Sequence, residues 1–182
     1  EWMRVYYAMT ANLDDNIGRL MEAIKKMGLE EDSIIVFTSD HGELFGAHGR
    51  RAKNIFYEEA VRVPFLVKWK GELSEGVKRD FVFNTVDIMP SFLTLMGLPV
   101  PEEVEGKELS ECIRGQANTK EGALMMCTGP TAVFGDGNEW RAYRTREFTY
   151  AVFKADGMEL LFGHGGFKVQ DVCRNGEDQR SF

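Results

Sequence analysis

Four apolar residues in a row, Ile34, Ile35, Val36 and Phe37, run without a break into Thr38, Ser39, Asp40, His41, Gly42 and Glu43. Branched and aromatic side chains at consecutive positions predict a strand covered on both faces, as in a parallel α/β sheet. The chain turns polar at the strand's carboxyl end, which is where open α/β sheets bind their ligands. Asp40 and His41 set an anionic oxygen beside an imidazole nitrogen, and Gly42 frees the backbone to bring both toward one point. That donor pair suits a divalent cation. The competing reading has Asp40 capping a turn and His41 bonded to the backbone.

Charge narrows the ligand. Lys and Arg number 22 against 29 Asp and Glu, a formal charge of −7, which argues against a nucleic-acid surface and against an anionic membrane. Against that acidic background Arg50, Arg51 and Lys53 cluster just past the Asp-His pair. A basic cluster beside a cation site points to a small anionic group. With 43% hydrophobic and 28% charged residues, the composition is that of an ordinary globular chain. Cys112, Cys127 and Cys173 are odd in number and far apart, which fits free thiols better than a disulfide scaffold or a zinc site. No apolar run has the length of a membrane span, and the start shows no basic-then-apolar leader pattern. The chain opens at Glu1 already in helical register, as a piece of a longer protein would.

Before the strand, Tyr6, Met9, Leu13, Ile17, Leu20, Ile24 and Met27 are spaced three and four apart and predict one face of a long amphipathic helix. Gly28 is placed to end it in the left-handed conformation, with Lys25 and Lys26 complementing the helix dipole. A helix followed by a covered strand is half of a crossover unit, so the strand's parallel partner is expected before Glu1. After Lys53, a short helix is expected over residues 54–60 with Asn54 as its cap, then a second strand over 63–69 with Pro64 at its start or on an edge. Residues 81–85 read as extended. Asp87 is placed to cap a helix over 88–96 that carries Pro90 in its first turn and stops at Gly97. A short helix over 108–114 follows.

Four strand candidates then occupy residues 123–127, 140–145, 148–153 and 158–162, separated by turn signals at Asp136-Gly137, Arg146-Glu147 and Asp156-Gly157. They predict an antiparallel meander. The glycine-rich, charged residues from Gly163 onward are expected to be loop, with His164 a surface histidine.

Several ordered motifs together resemble the second half of a sulfatase of the alkaline-phosphatase-like superfamily. They are Tyr6-Tyr7-Ala8, Leu13-Asp14, Ile17-Gly18, Thr38-Ser39-Asp40-His41-Gly42-Glu43, Gly46-Ala47-His48-Gly49, Lys53, Tyr57-Glu58-Glu59 and Arg62-Val63-Pro64. Asp87-Ile88-Met89-Pro90, Leu95-Met96-Gly97-Leu98, Gly106-Lys107-Glu108-Leu109 and Trp140-Arg141-Ala142-Tyr143-Arg144-Thr145 continue the likeness to about residue 162.

The resemblance implies an α/β fold. Residues 1–105 would be part of a sandwich of helices on a mainly parallel sheet, 106–162 a small antiparallel four-stranded subdomain with a short helix, and 163–182 a tail. It implies that Asp40 and His41 are metal ligands for one divalent cation, calcium by preference and magnesium or manganese as alternatives. Lys53 is implied to contact the sulfate group and to offset charge in the reaction, and His48 to touch the substrate or a sulfate oxygen. The implied reaction is hydrolysis of a sulfate ester, on a sulfated small molecule or carbohydrate.

None of the three cysteines is followed by the family's nucleophile motif, so the formylglycine it uses is expected upstream of this chain, with the first aspartate pair and the leaving-group histidine. The 182 residues alone are accordingly expected to be inactive and, with uncovered faces, to self-associate. Two alternatives stand beside this: a phosphomonoester or phosphonate hydrolase of the same superfamily, and a non-catalytic interaction module descended from a sulfatase.

Overall fold

The computed structural model describes residues 2–119, 121–128, 139–154 and 157–164. These form two compact units, one of Glu1–Thr38 with Pro64–Gly76, the other of Ser39–Val63 with Val77–Phe182. Residues 39–63 pack with the later strands in the second unit.

The first unit is a helix and a ribbon. Helix α1 spans Trp2–Lys26 and ends as its sequence predicts. Gly28 sits at φ 71°, and Leu29 N–H donates to Ile24 O at 3.1 Å across it. Strand β1, Ile34–Thr38, pairs with β2, Phe65–Trp69, and Pro64 stands just ahead of β2, where its missing N–H breaks no ladder bond. The pairing runs antiparallel, from Ile34 opposite Trp69 to Thr38 opposite Phe65; the parallel partner expected before Glu1 lies outside the described residues. The register shows why: residues 39–64 leave and rejoin the ribbon at the same end, so the returning strand must reverse.

Nor is β1 covered on both faces here. Val36 is 39% exposed, and the apolar stripe of α1 lies open, with Leu13 at 50%. Two ion pairs cross the ribbon side, Lys68 to Glu30 at 2.6 Å and Lys70 to Glu31 at 2.5 Å, and Lys68 draws the Glu30 carboxyl below its usual range.

The second unit holds helices α2, Glu58–Val61, α3, Thr85–Leu95, and α4, Ser110–Arg114. It also holds strands β3, Ala123–Cys127, β4, Trp140–Arg144, β5, Phe148–Phe153, and β6, Glu159–Gly163. They join in the order β3-β4-β5-β6, each pair antiparallel, the meander the sequence predicts. The Asp136-Gly137 turn, Asp156 and Cys173 lie outside the described residues. Cys112 is a buried and Cys127 a half-buried free thiol.

Alternate residues of β4 and β5 face inward, and Trp140, Ala142 and Ala151 join Leu44, Ile55, Phe56 and Ala60 in one core. Phe56 is its hub. Its ring lies 5.3 Å from Trp140, 5.5 Å from Phe153 and 5.6 Å from Phe162, within the range of favourable aromatic pairs.

Several local expectations are corrected. Asn54 caps nothing: it adopts φ 70°, its carbonyl takes the Trp140 indole N–H at 3.0 Å, and α2 is a single turn begun by Tyr57. Asn84, not Asp87, is the N-cap of α3. Asp87 stands at N3 and completes a capping box, with Oδ2 accepting from Asn84 N and Oδ1 from Lys107 N. A buried carboxylate that satisfies two backbone donors in different segments fixes the 107 loop on the helix start. Residues 81–84 form no strand. His164 is not a surface histidine. Its side chain is 15% exposed, because β6 continues to Gly163 and His164 N–H closes on Glu147 O at 2.7 Å; the tail beyond lies outside the described residues.

Candidate active site

Asp40 and His41 open the second unit, and local hydrogen bonds fix both. His41 N–H donates to Asp40 Oδ1 at 2.9 Å, and this donation holds the Asp40 carboxyl below the usual carboxylate range although the side chain is 82% exposed. His41 Nδ1 lies 2.8 Å from Gly42 O. A carbonyl only accepts, so Nδ1 carries the proton and the Nε2 lone pair is the one left outward. That lone pair lies 3.3 Å from Asp40 Oδ2 and meets the Lys53 ammonium. One carboxylate oxygen, one imidazole lone pair and one cation thus converge, with the lysine standing where positive charge is wanted.

Gly42 serves a different need from free rotation. Its N–H donates to Ala60 O at 2.8 Å, and a Cβ there would collide with the Glu59 carbonyl. Only a residue without a side chain lets α2 approach this closely. Glu43 organises the loop behind the site: Oε1 accepts from Ala52 N at 2.6 Å and Phe45 N at 3.2 Å, and Leu44 is buried beneath it.

Between them the chain is unusually twisted, with Phe45, His48, Ala52 and Asn54 all at positive φ. Each such non-glycine residue carries backbone strain of about 1 kcal/mol or more, held here by the Glu43 bonds on one side and the Phe56 core on the other. Lys53 is therefore presented from a strained loop pinned at both ends.

His48 is carried elsewhere. Its ring stacks on Tyr57 at 3.9 Å and 13°, and Nε2 lies 3.3 Å from Glu59 Oε2. The structure thus brings Lys53 to His41 and gives His48 to Tyr57 and Glu59. In the sequence Tyr57-Glu58-Glu59 stands as a motif of the resemblance and partly within a short helix, and nothing in it announces His48 as a partner.

Asp40 Oδ2 and His41 Nε2 fit a share of a cation site. Among the described residues, no three of His, Cys, Asp and Glu gather as a complete set, whereas hard divalent cations take six or more donors. Among the described residues, Asp40 Oδ2, His41 Nε2 and the Lys53 ammonium are what meet at this point.

Residues 1–98 match the family model described as Sulfatase. The chain belongs to the sulfatase family. Among curated relatives, it is 39% identical over 166 residues to an ulvan-active sulfatase of Formosa agariphila, a match that takes in 89% of this chain and 32% of that sulfatase. Among solved structures, it superposes with a TM-score of 0.75 and 28% identity on a protein crystallised with D-glucosamine-2-N,6-O-disulfate, covering 82% of this chain and 31% of that one. It also superposes on a phosphonate monoester hydrolase of Silicibacter pomeroyi with a TM-score of 0.72 and 28% identity, covering 84% and 33%. This sulfatase chain therefore spans about a third of the length of the proteins it matches, and its α/β fold is that of the alkaline-phosphatase-like sulfatases.

Proposed function

We propose that the intact protein hydrolyses sulfate esters of carbohydrates, with Asp40 and His41 as two ligands of a divalent cation and Lys53 as the residue that binds the sulfate group. The observation that carries this is the meeting of Asp40 Oδ2, the His41 Nε2 lone pair and the Lys53 ammonium. A bound cation, calcium by preference and magnesium or manganese as alternatives, would polarise the sulfate oxygens and lower the charge barrier to attack.

The chain's own residues do the rest. The Gly42 carbonyl keeps the proton on His41 Nδ1, so that Nε2 stays a ligand. With His41 Nε2 given to a cation, Lys53 would be free to turn its ammonium to the ester and offset charge gathering on the departing oxygen. His48, held against Tyr57 and Glu59, would contact the substrate. The nucleophile of this reading is a formylglycine encoded before Glu1, so the 182 residues alone turn over no ester. The carbohydrate class is supported by the ulvan-active relative and by the glucosamine disulfate in the superposed structure.

A second reading, hydrolysis of phosphonate monoesters, is favoured by the likeness to the Silicibacter pomeroyi enzyme. Steady-state rates of the intact protein on a nitrophenyl sulfate and on a nitrophenyl phosphonate monoester separate the two. The proposal expects the sulfate to be the better substrate. It also expects Asp40→Asn and Lys53→Met each to lower kcat/KM by about a hundredfold or more, the scale of losing a charge stabiliser at the reacting centre. Undiminished turnover in Asp40→Asn overturns the assignment.

A further inference from the structure

Arg144, His164 and Glu58 form a second charged cluster in the same unit, better shielded from water than Asp40. The Arg144 side chain, 17% exposed on β4, forks onto Glu58 of α2: Nη1 bonds Oε1, and Nη2 reaches Oε2 at 3.1 Å. Nη1 also lies 3.0 Å from His164 Nε2, which is 2.9 Å from the hydroxyl of Thr149, a β5 side chain only 1% exposed. A guanidinium has donors alone, so His164 accepts at Nε2 and holds its proton on Nδ1. Nδ1 faces Glu58 Oε1 at 3.7 Å. Burying an arginine this far is unfavourable unless it is paired and oriented, and here Glu58 and His164 do the pairing, with Thr149 behind His164.

The other end of the cluster reaches the ligands. Glu58 is the first residue of α2. Two residues on, Ala60 O receives Gly42 N–H at 2.8 Å, and the carbonyl of Glu59 between them fills the space above Gly42. Gly42 O in turn receives His41 Nδ1–H at 2.8 Å. An unbroken series of contacts therefore runs from the four-stranded sheet through Arg144, Glu58, α2 and Gly42 to the imidazole.

We infer that the Glu58–Arg144 pair, braced by His164 and Thr149, is a positioning device for the cation site, and that it acts by holding the Gly42 carbonyl where it fixes the proton and the aim of His41. The inference rests on the reading of Asp40 and His41 as metal ligands. Neither Glu58 nor Arg144 touches the metal position. Their effect is on the affinity of the site rather than on the chemistry, as is usual for groups that orient a ligand from behind. The fork is essential to it: a two-point grip fixes the rotation of a one-turn helix, whereas a lysine ammonium at the same place is a point charge about which the carboxylate can swing.

Calcium titration calorimetry on the intact protein tests this, with Asp40→Asn, Arg144→Lys, Glu58→Gln and Arg146→Lys compared below their melting temperatures. Arg144→Lys keeps the charge and is expected to weaken calcium binding about tenfold or more, the scale on which outer partners of metal ligands act, with KM at saturating calcium little changed. Glu58→Gln, a gentler change that keeps the shape, is expected to weaken binding in the same direction. Arg146→Lys, in the exposed pair with Asp80, is expected to leave affinity where it was.

If Asp40→Asn abolishes binding while both Arg144→Lys and Glu58→Gln bind calcium like the parent, the positioning role is overturned and the metal site stands. If Asp40→Asn itself binds calcium normally, the ligand assignment fails, and the positioning role fails with it.

Discussion

The two units of this chain follow the same rules of pattern and come out differently. The second contains every buried apolar residue among those described, from Leu44 and Phe56 to Ala151. The first has a longer helix and an equally apolar strand, yet none of its described residues is buried. Periodicity therefore creates a face that wants cover, and only the rest of the fold supplies it. In the second unit Trp140, Phe153 and Phe162 close on Phe56. In the first, Tyr6, Met9, Leu13, Leu20 and Met27 of the stripe stay open to solvent, and only Ile17 and Ile24 are half-buried.

Core truncation should break the symmetry of the two patterns most sharply. Phe56→Ala removes the hub of the aromatic cluster and is expected to destabilise the second unit by about 3–5 kcal/mol. Leu13→Ala, on an exposed stripe in the 182-residue chain, should change stability by only about 0.5 kcal/mol. Urea melts followed by circular dichroism and tryptophan fluorescence measure both. A large loss from Leu13→Ala would mean the stripe is already covered.

An intermediate effect is expected in association. Large exposed apolar patches drive self-association, so the 182-residue chain should elute ahead of a compact monomer in size-exclusion chromatography. The pair Leu13→Glu with Leu20→Glu should return it toward the monomer position. A compact monomer from the unaltered chain would break the comparison.

The smallest effect concerns pH and belongs to the second unit alone. Burial first, then the Arg144 and Arg62 charges, lowers the His164 pKa below the ordinary histidine value. Glu58, the acidic group facing it, is already engaged by Arg144. A histidine with a lowered folded-state pKa contributes stability that is fully present above the unfolded value of about 6.5 and is lost as pH falls below it, because the unfolded chain takes up the proton more readily. Melting of the second unit should therefore weaken from pH 7 toward pH 5, and His164→Gln should flatten that slope. An unchanged slope in His164→Gln would place the titration elsewhere.

How much of this could be read from the residues alone follows the same division. The meander was legible because turn signals separate four short runs rich in apolar and aromatic residues. So was the end of α1, since Gly28 admits one backbone conformation more easily than any other residue. The sense of the β1–β2 pairing was not legible, because four consecutive apolar residues give the same signal in a parallel and an antiparallel neighbour. Asn84 and Asp87 divide a capping box between them, and the sequence reading gave the whole role to Asp87.

At the site, Asp40, His41 and Lys53 were found by their order along the chain, and the structure gathers them. Glu58 and Arg144 could not have been paired beforehand. They are 86 positions apart, and nothing in either one's neighbours announces the other. His164 was misjudged for a related reason: glycines on both sides read as loop, whereas the β5–β6 pairing carries it inward.

The central claim is that Asp40 and His41 bind a cation at the place where Lys53 now meets the imidazole. Anomalous scattering from crystals of the intact protein soaked in manganese tests it most directly. The account predicts a metal peak within roughly 2.0–2.6 Å of both an Asp40 carboxylate oxygen and His41 Nε2, the range of divalent ligand bonds, with the Lys53 ammonium moved off that nitrogen. A fully occupied metal elsewhere, with Lys53 still on His41, would contradict it.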